Sequence, residues 1–221
     1  MKQVSTMTMI AALAVLTGMT GTAYAEEEAQ PARSGLYTLE TCPVSGQKLG
    51  SMGDPVVKTY DGREVRFCCE GCVASFEEDK DAHWKKVDAA IIKQQKPLYP
   101  IETCVVMGAK LDAMGGPVDK VYRNRLVRFC CAGCVSAFER EPEKFLKKLD
   151  EAVVEKQKED YPLDTCVVSG QELGSMGEPV EYVAGGRLVR LCCKGCVNSL
   201  ESDPQKYLRK LDEAKEDEAA S

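Results

Sequence analysis

Residues 67–72 read Phe-Cys-Cys-Glu-Gly-Cys, and the same hexapeptide returns as Phe-Cys-Cys-Ala-Gly-Cys at 129–134 and Leu-Cys-Cys-Lys-Gly-Cys at 191–196. The recurrence period is 62 residues, and it holds upstream without a gap. The stretches TCPVSGQKLGSMGDPV (41–56), TCVVMGAKLDAMGGPV (103–118) and TCVVSGQELGSMGEPV (165–180) align position by position. A fixed period of this kind means one supersecondary unit repeated, and it decides the architecture. All 12 cysteines fall inside the pattern, four to a unit. They are Cys42, Cys68, Cys69 and Cys72, then Cys104, Cys130, Cys131 and Cys134, then Cys166, Cys192, Cys193 and Cys196.

Within a unit the local signals are those of a small α+β domain. Val56 to Tyr60 and Glu64 to Phe67 read as two strands joined at Asp61-Gly62, a hairpin turn signal. Gly185-Gly186 and Arg123-Asn124 stand at that turn in the other copies. A helix is expected from about the second cysteine of each Cys-Cys pair, with Val73 and Phe76, or Val135 and Phe138, on one face. Glu141-Pro142 and Asp203-Pro204 predict a break, an acidic cap and Pro in the first turn of a second helix. That helix carries Phe145, Leu146, Leu149 and Val153 at helical spacing. His83 and Trp84 replace Phe145 and Leu146 in the first copy and are read as packing residues.

The cysteines are the chemistry-bearing groups. A domain of about 60 residues buries only about 60% of its unfolded surface, and a staple is expected. Adjacent Cys68 and Cys69 suit a disulfide framework poorly. A Cys-x-x-Cys between a hairpin and a helix suits thiolate ligation, because helix N-terminal N–H groups stabilise ionised sulfur. Three or four thiolates converging from Cys42, Cys68, Cys69 and Cys72 suit Zn2+ or Cu+, and three alone suit the monovalent soft ion better. Two other readings stand beside this one: structural disulfides, favoured by an oxidising compartment, and thiol–disulfide exchange by the Cys-x-x-Cys pairs. Met52, Met114 and Met176 recur ten residues after the first cysteine of each copy. They are read as core filling, with thioether ligation the alternative. Arg63 and Arg66, with their counterparts, are expected either on exposed hairpin surface or near the sulfurs.

Residues 1–25 read as a signal peptide: Lys2, an apolar run from Met9 to Leu16, and Ala23-Tyr24-Ala25 before the cut. The mature chain is therefore expected to be periplasmic or secreted and not membrane-embedded. Residues 26–36 read as a flexible spacer, 37–98, 99–160 and 161–215 as the three units, and 216–221 as an acidic tail. A net charge of −6 without a basic run argues against nucleic acid as partner, and a single His argues against histidine-based catalysis. The composition favours a binding protein over an enzyme.

Cys-Pro-Val-Ser-Gly, then Phe-Cys-Cys-x-Gly-Cys-x-x-x-Phe, then a Pro-x-x-(Tyr/Phe)-Leu helix, resembles the TRASH/YHS group of small heavy-metal-binding domains. The resemblance covers all three units, roughly residues 37–215. It implies a treble-clef-like fold and a part in heavy-metal sensing, trafficking or resistance. The expected partner is a metal ion, and a metal transporter or efflux system is a candidate beside it. The family's three-cysteine pattern falls on Cys42, Cys68 and Cys72 and their counterparts, and Cys69 is additional to it.

Overall fold

A computed structural model describes residues 35–219. The expected signal peptide and most of the expected spacer lie outside the described residues, as do the last two residues of the expected tail. Each unit consists of a cysteine-bearing loop, a two-stranded antiparallel hairpin and two helices. The hairpins are β1 (Val56–Tyr60) with β2 (Arg63–Phe67), β3 (Val118–Tyr122) with β4 (Arg125–Phe129), and β5 (Val180–Ala184) with β6 (Arg187–Leu191). The helices are α1 (Glu70–Glu78) and α2 (Lys80–Gln95), α3 (Ala132–Arg140) and α4 (Pro142–Lys158), and α5 (Gly195–Ser202) and α6 (Pro204–Ala219). A short 3-10 turn, Lys96–Leu98, follows α2. The small α+β class and its threefold repetition thus stand.

The hairpins share one register, Val56 opposite Phe67, Val118 opposite Phe129 and Val180 opposite Leu191. Both turn residues have positive φ in all three: 50° and 73° at Asp61-Gly62, 44° and 60° at Arg123-Asn124, 57° and 79° at Gly185-Gly186. That is the two-residue turn whose twist matches the strands it joins. The hairpin's inner face and the first helix then close a small aromatic core. Phe67 meets Phe76 edge-on at 5.2 Å, and Phe129 meets Phe138 at 5.4 Å. In the third unit Leu191 and Leu200 take those places, both fully buried.

The second helices start as expected, with one correction. Asp79 and Asp203 accept hydrogen bonds from the N–H of Ala82 and Lys206 and cap their helices. Glu141 does not cap α4; its longer side chain turns outward and pairs with Lys144 at 3.1 Å. Phe145, Leu149 and Val153 are buried and Leu146 is half-buried. His83 stacks on Phe76 at 5.5 Å, and Trp84 meets the same ring edge-on at 5.2 Å, so both are packing residues.

The units pack on one another. Helix α2 lies against β3 and β4, and α4 against β5 and β6. At the first junction the buried Gln95 side chain behaves like one residue of an extra strand. Its Nε2 donates to Asn124 O at 2.9 Å, and its Oε1 accepts from Leu126 N–H at 2.8 Å. Gln157 repeats this pair on Gly186 O and Leu188 N–H. Among the described residues no helix precedes the first hairpin, and there the backbone of Gly35 does the same work: its N–H donates to Gly62 O and its C=O accepts from Glu64 N–H. Gly35 lies so close to Arg123 that a Cβ would stand 2.3 Å from the Arg123 carbonyl oxygen.

The third unit returns to the first. Arg66 donates to the carbonyls of Glu201 and Ser202 at the end of α5, at 2.9 and 2.8 Å. Gln205 donates to the carbonyls of Tyr37 and Leu39. Leu36, within the expected spacer, is buried among Tyr182, Leu208 and Leu211. Arg66 is therefore neither exposed hairpin surface nor a donor to sulfur: it is 4% exposed, braced by Glu64 at 2.7 Å and spent on α5. Arg63 likewise binds Asp88 and Asn124.

Candidate metal centre

The first cysteine of each unit is presented by a tight backbone knuckle. Cys42 N–H donates to Gln47 O and Gly46 N–H donates to Cys42 O, both at 2.9 Å, and the same two bonds recur at Cys104 and Cys166. Gly46, at φ 71°, supplies the left-handed residue this turn needs. Reversing the chain so tightly aims the N–H groups of Val44 and Ser45 at the Cys42 sulfur, and the Cys68 N–H reaches it from the strand end. The second cysteine ends the hairpin, and the last sits in the first turn of the helix.

These three sulfurs converge. The Sγ atoms of Cys42, Cys68 and Cys72 all lie within 4.8 Å of one another, as do those of Cys104, Cys130 and Cys134, and those of Cys166, Cys192 and Cys196. The nine residues are between 0 and 9% exposed. The edge from Cys68 to Cys72 is 3.6 Å, and the matching edges are 3.7 Å. A metal–sulfur bond of roughly 2.3 Å implies sulfur–sulfur edges of roughly 3.8–4.0 Å, so the cages need contract or expand only by tenths of an ångström.

Cys69, Cys131 and Cys193 stand outside these triads. Each is half-exposed, yet the Cys69 sulfur is 3.7 Å from Cys72 and 4.0 Å from Cys68. The Cys131 sulfur is 3.7 Å from Cys134, and the Cys193 sulfur is 3.9 Å from Cys196. The local backbone sets this split. Cys69 is extended, with φ −162° and ψ 164°, and adjacent side chains on extended backbone point to opposite sides. Cys69 therefore leaves the inward side that Cys68 takes and sits at the solvent edge of the cluster, its sulfur still within reach of Cys68 and Cys72.

Burial and hydrogen bonding divide the thiols electrostatically. Burial raises the pKa of Cys42, but the Ser45 hydroxyl and the N–H groups of Ser45, Cys68 and Val44 outweigh it, lowering the value to about 7. The same contest at Cys166, with Ser169, ends at about 6. Cys72 and Cys196 have no such donors, and burial followed by hydrogen bonds to the neighbouring thiols pushes them up to about 12. Cys69, Cys131 and Cys193 are lowered by the N–H groups of Cys72, Cys134 and Cys196 at the start of the helices. An ion placed in the triad meets one thiol ready to ionise and another that must surrender a proton.

The second site is chemically distinct. Ser45 and Ser169 place hydroxyls 3.2 and 3.3 Å from the sulfurs of Cys68 and Cys192. Met107 holds that position in the second unit and is 61% exposed. Met52, Met114 and Met176 are 65, 57 and 61% exposed. The core-filling expectation for them is thus corrected: the cysteine loops are too thin to enclose a side chain of that length.

Comparison with protein-family models, curated proteins and solved structures finds no match for the chain. No helix among the described residues is long and apolar enough to cross a membrane.

Proposed function

We propose that this chain is an exported, non-enzymatic heavy-metal-binding protein that buffers, scavenges or passes on a soft or borderline ion, Cu+ or Zn2+. The observation that carries the reading is the threefold recurrence of a buried cysteine triad at identical unit positions. Burying polarisable thiols against one another without a common partner gains little, whereas a shared cation repays the desolvation of all three. Three buried sulfurs suit trigonal Cu+. Zn2+ would draw in the neighbouring fourth cysteine for a tetrahedral set. Knuckle, hairpin and helix in this order also support the treble-clef-like and TRASH/YHS reading of the unit. The signal-like residues 1–25 support a periplasmic setting, where a metal transporter or efflux system is the natural partner.

The test is to purify the chain from the cell envelope without chelator, measure bound elements by mass spectrometry and count reactive thiols. About three ions per chain are expected, one per triad, with the triad cysteines reacting only after the metal is stripped. A chain with neither bound metal nor reactive thiols would instead be a disulfide-stapled interaction protein.

A further inference from the structure

A buried three-sulfur site poses a kinetic difficulty. Cys42, Cys68 and Cys72 are 1, 5 and 8% exposed, so a loaded triad offers an acceptor almost no ligand sulfur at the surface. The same holds for the second and third units, where no triad cysteine exceeds 9%. Tight holding and fast delivery then conflict.

The fourth cysteines remove that conflict. Cys68 and Cys72 are shared between two sulfur triangles: the buried one, completed by Cys42, and an outer one, completed by half-exposed Cys69. The outer triangle of the first unit has edges of 3.6, 3.7 and 4.0 Å, and that of the third has edges of 3.7, 3.9 and 3.9 Å. Both are about the size of the cage a metal–sulfur bond of roughly 2.3 Å demands. An ion can therefore move between triangles by exchanging one bond while two are kept.

Resting on the reading of the triads as metal sites, the geometry points to Cys69, Cys131 and Cys193 as transfer ligands, which carry the ion between the buried triad and a thiol-bearing acceptor at the surface. The sulfur–metal bond to Cys69 forms as the bond to Cys42 breaks. The Cys69 thiol gives up one proton to solvent and the freed Cys42 sulfur takes one up, and neither metal nor sulfur changes oxidation state. The acceptor thiol then attacks the ion at the outer triangle and displaces the protein sulfurs in turn, with the same proton exchange at each step. The N–H groups of Gly71 and Cys72 hold the Cys69 sulfur in place for the first exchange. In every unit the fourth cysteine's sulfur lies within 3.9 Å of the last triad cysteine, a recurrence that a chance surface cysteine would not show.

The experiment uses the full chain loaded with Cu+. Alkylation followed by mass spectrometry should modify three thiols in the loaded protein, Cys69, Cys131 and Cys193, and all twelve after stripping. The triple variant Cys69→Ser/Cys131→Ser/Cys193→Ser should keep about three ions per chain yet deliver them to glutathione at least about tenfold more slowly. Replacement by Ala at the same positions should reproduce that rate, separating loss of the sulfur from any effect of the serine hydroxyl. An unchanged transfer rate overturns the proposal, as does loss of the bound ions, which would make these cysteines holding ligands. If the unmodified chain takes up no ion at all, the triads themselves are misread, and that failure is visible before any variant is made.

Discussion

Met107 is the residue that sets the second site apart from the other two. In the first and third units a serine hydroxyl beside the cluster helps to ionise the knuckle cysteine, to about 7 at Cys42 and about 6 at Cys166. Cys104 is lowered by the N–H groups of Met107, Cys130 and Val106 without a hydroxyl, and against burial. Thiolate ultraviolet absorbance of the stripped chain should therefore rise in a first wave spanning about pH 6 to 7. Ser45→Ala and Ser169→Ala should move that wave upward, and Met107→Ser should lower Cys104 further by supplying the missing hydroxyl. The same thiols set the pH dependence of loading. Cys72 and Cys196 are protonated throughout the neutral range, so an ion must always displace those protons. Cys42 and Cys166 add further protons to displace only below about 7 and 6. Affinity should thus fall as pH falls, and more steeply below about pH 7, which a competition titration against a chromophoric chelator at several pH values would measure.

At the scale of elements, the side chain of Gln95 joins a helix to the next hairpin. Gln95 is 2% exposed, and its amide satisfies a carbonyl and an N–H of the second hairpin that would otherwise be buried without partners. Gln95→Ala should cost about 1–3 kcal/mol in urea unfolding, the desolvation penalty of an orphaned backbone group. Gln157→Ala should cost less, since that residue is only half-buried. This junction was illegible in the sequence for a physical reason. Gln95 lies in a polar run of helix end, and its partners are 29 and 31 residues away, so no local pattern announces them. The hairpins and the start of the first helices were legible because Asp61-Gly62, the strand alternation and the Cys-Cys-x-Gly-Cys run act within a few residues of themselves. For the site, cysteine spacing revealed which residues gather in each unit. It did not separate Cys69 from the buried triad, because spacing carries proximity and only backbone direction carries facing. The methionines failed for a related reason: a flexible thioether suits a core and a surface loop equally, and no periodicity decides between them.

At the scale of the whole molecule, the question is whether three short units fold as three bodies or one. Hairpins of five-residue strands backed by two helices are marginal alone, yet each unit here completes its neighbour. Gly35 does for the first hairpin what Gln95 and Gln157 do for the next two, and Arg66 ties the first unit to the end of α5. Arg66 is 4% exposed, and Arg66→Ala should cost about 1.5–3 kcal/mol, as expected for charge-assisted hydrogen bonds. Metal binding should act on this coupled body as a single ligand-linked equilibrium. At free ion one hundred times the dissociation constant, each site contributes roughly 2.7 kcal/mol, and three sites in one cooperative unit roughly 8 kcal/mol. Urea unfolding of the loaded chain should accordingly show one transition at much higher denaturant than the stripped chain. Arg66→Ala should broaden it, because the third unit then holds the first only through Gln205 and the Leu36 contacts. Three separate transitions in the unmodified protein, each shifted by its own ion, would instead mean that the junctions at Gln95, Gln157 and Arg66 do not couple the units.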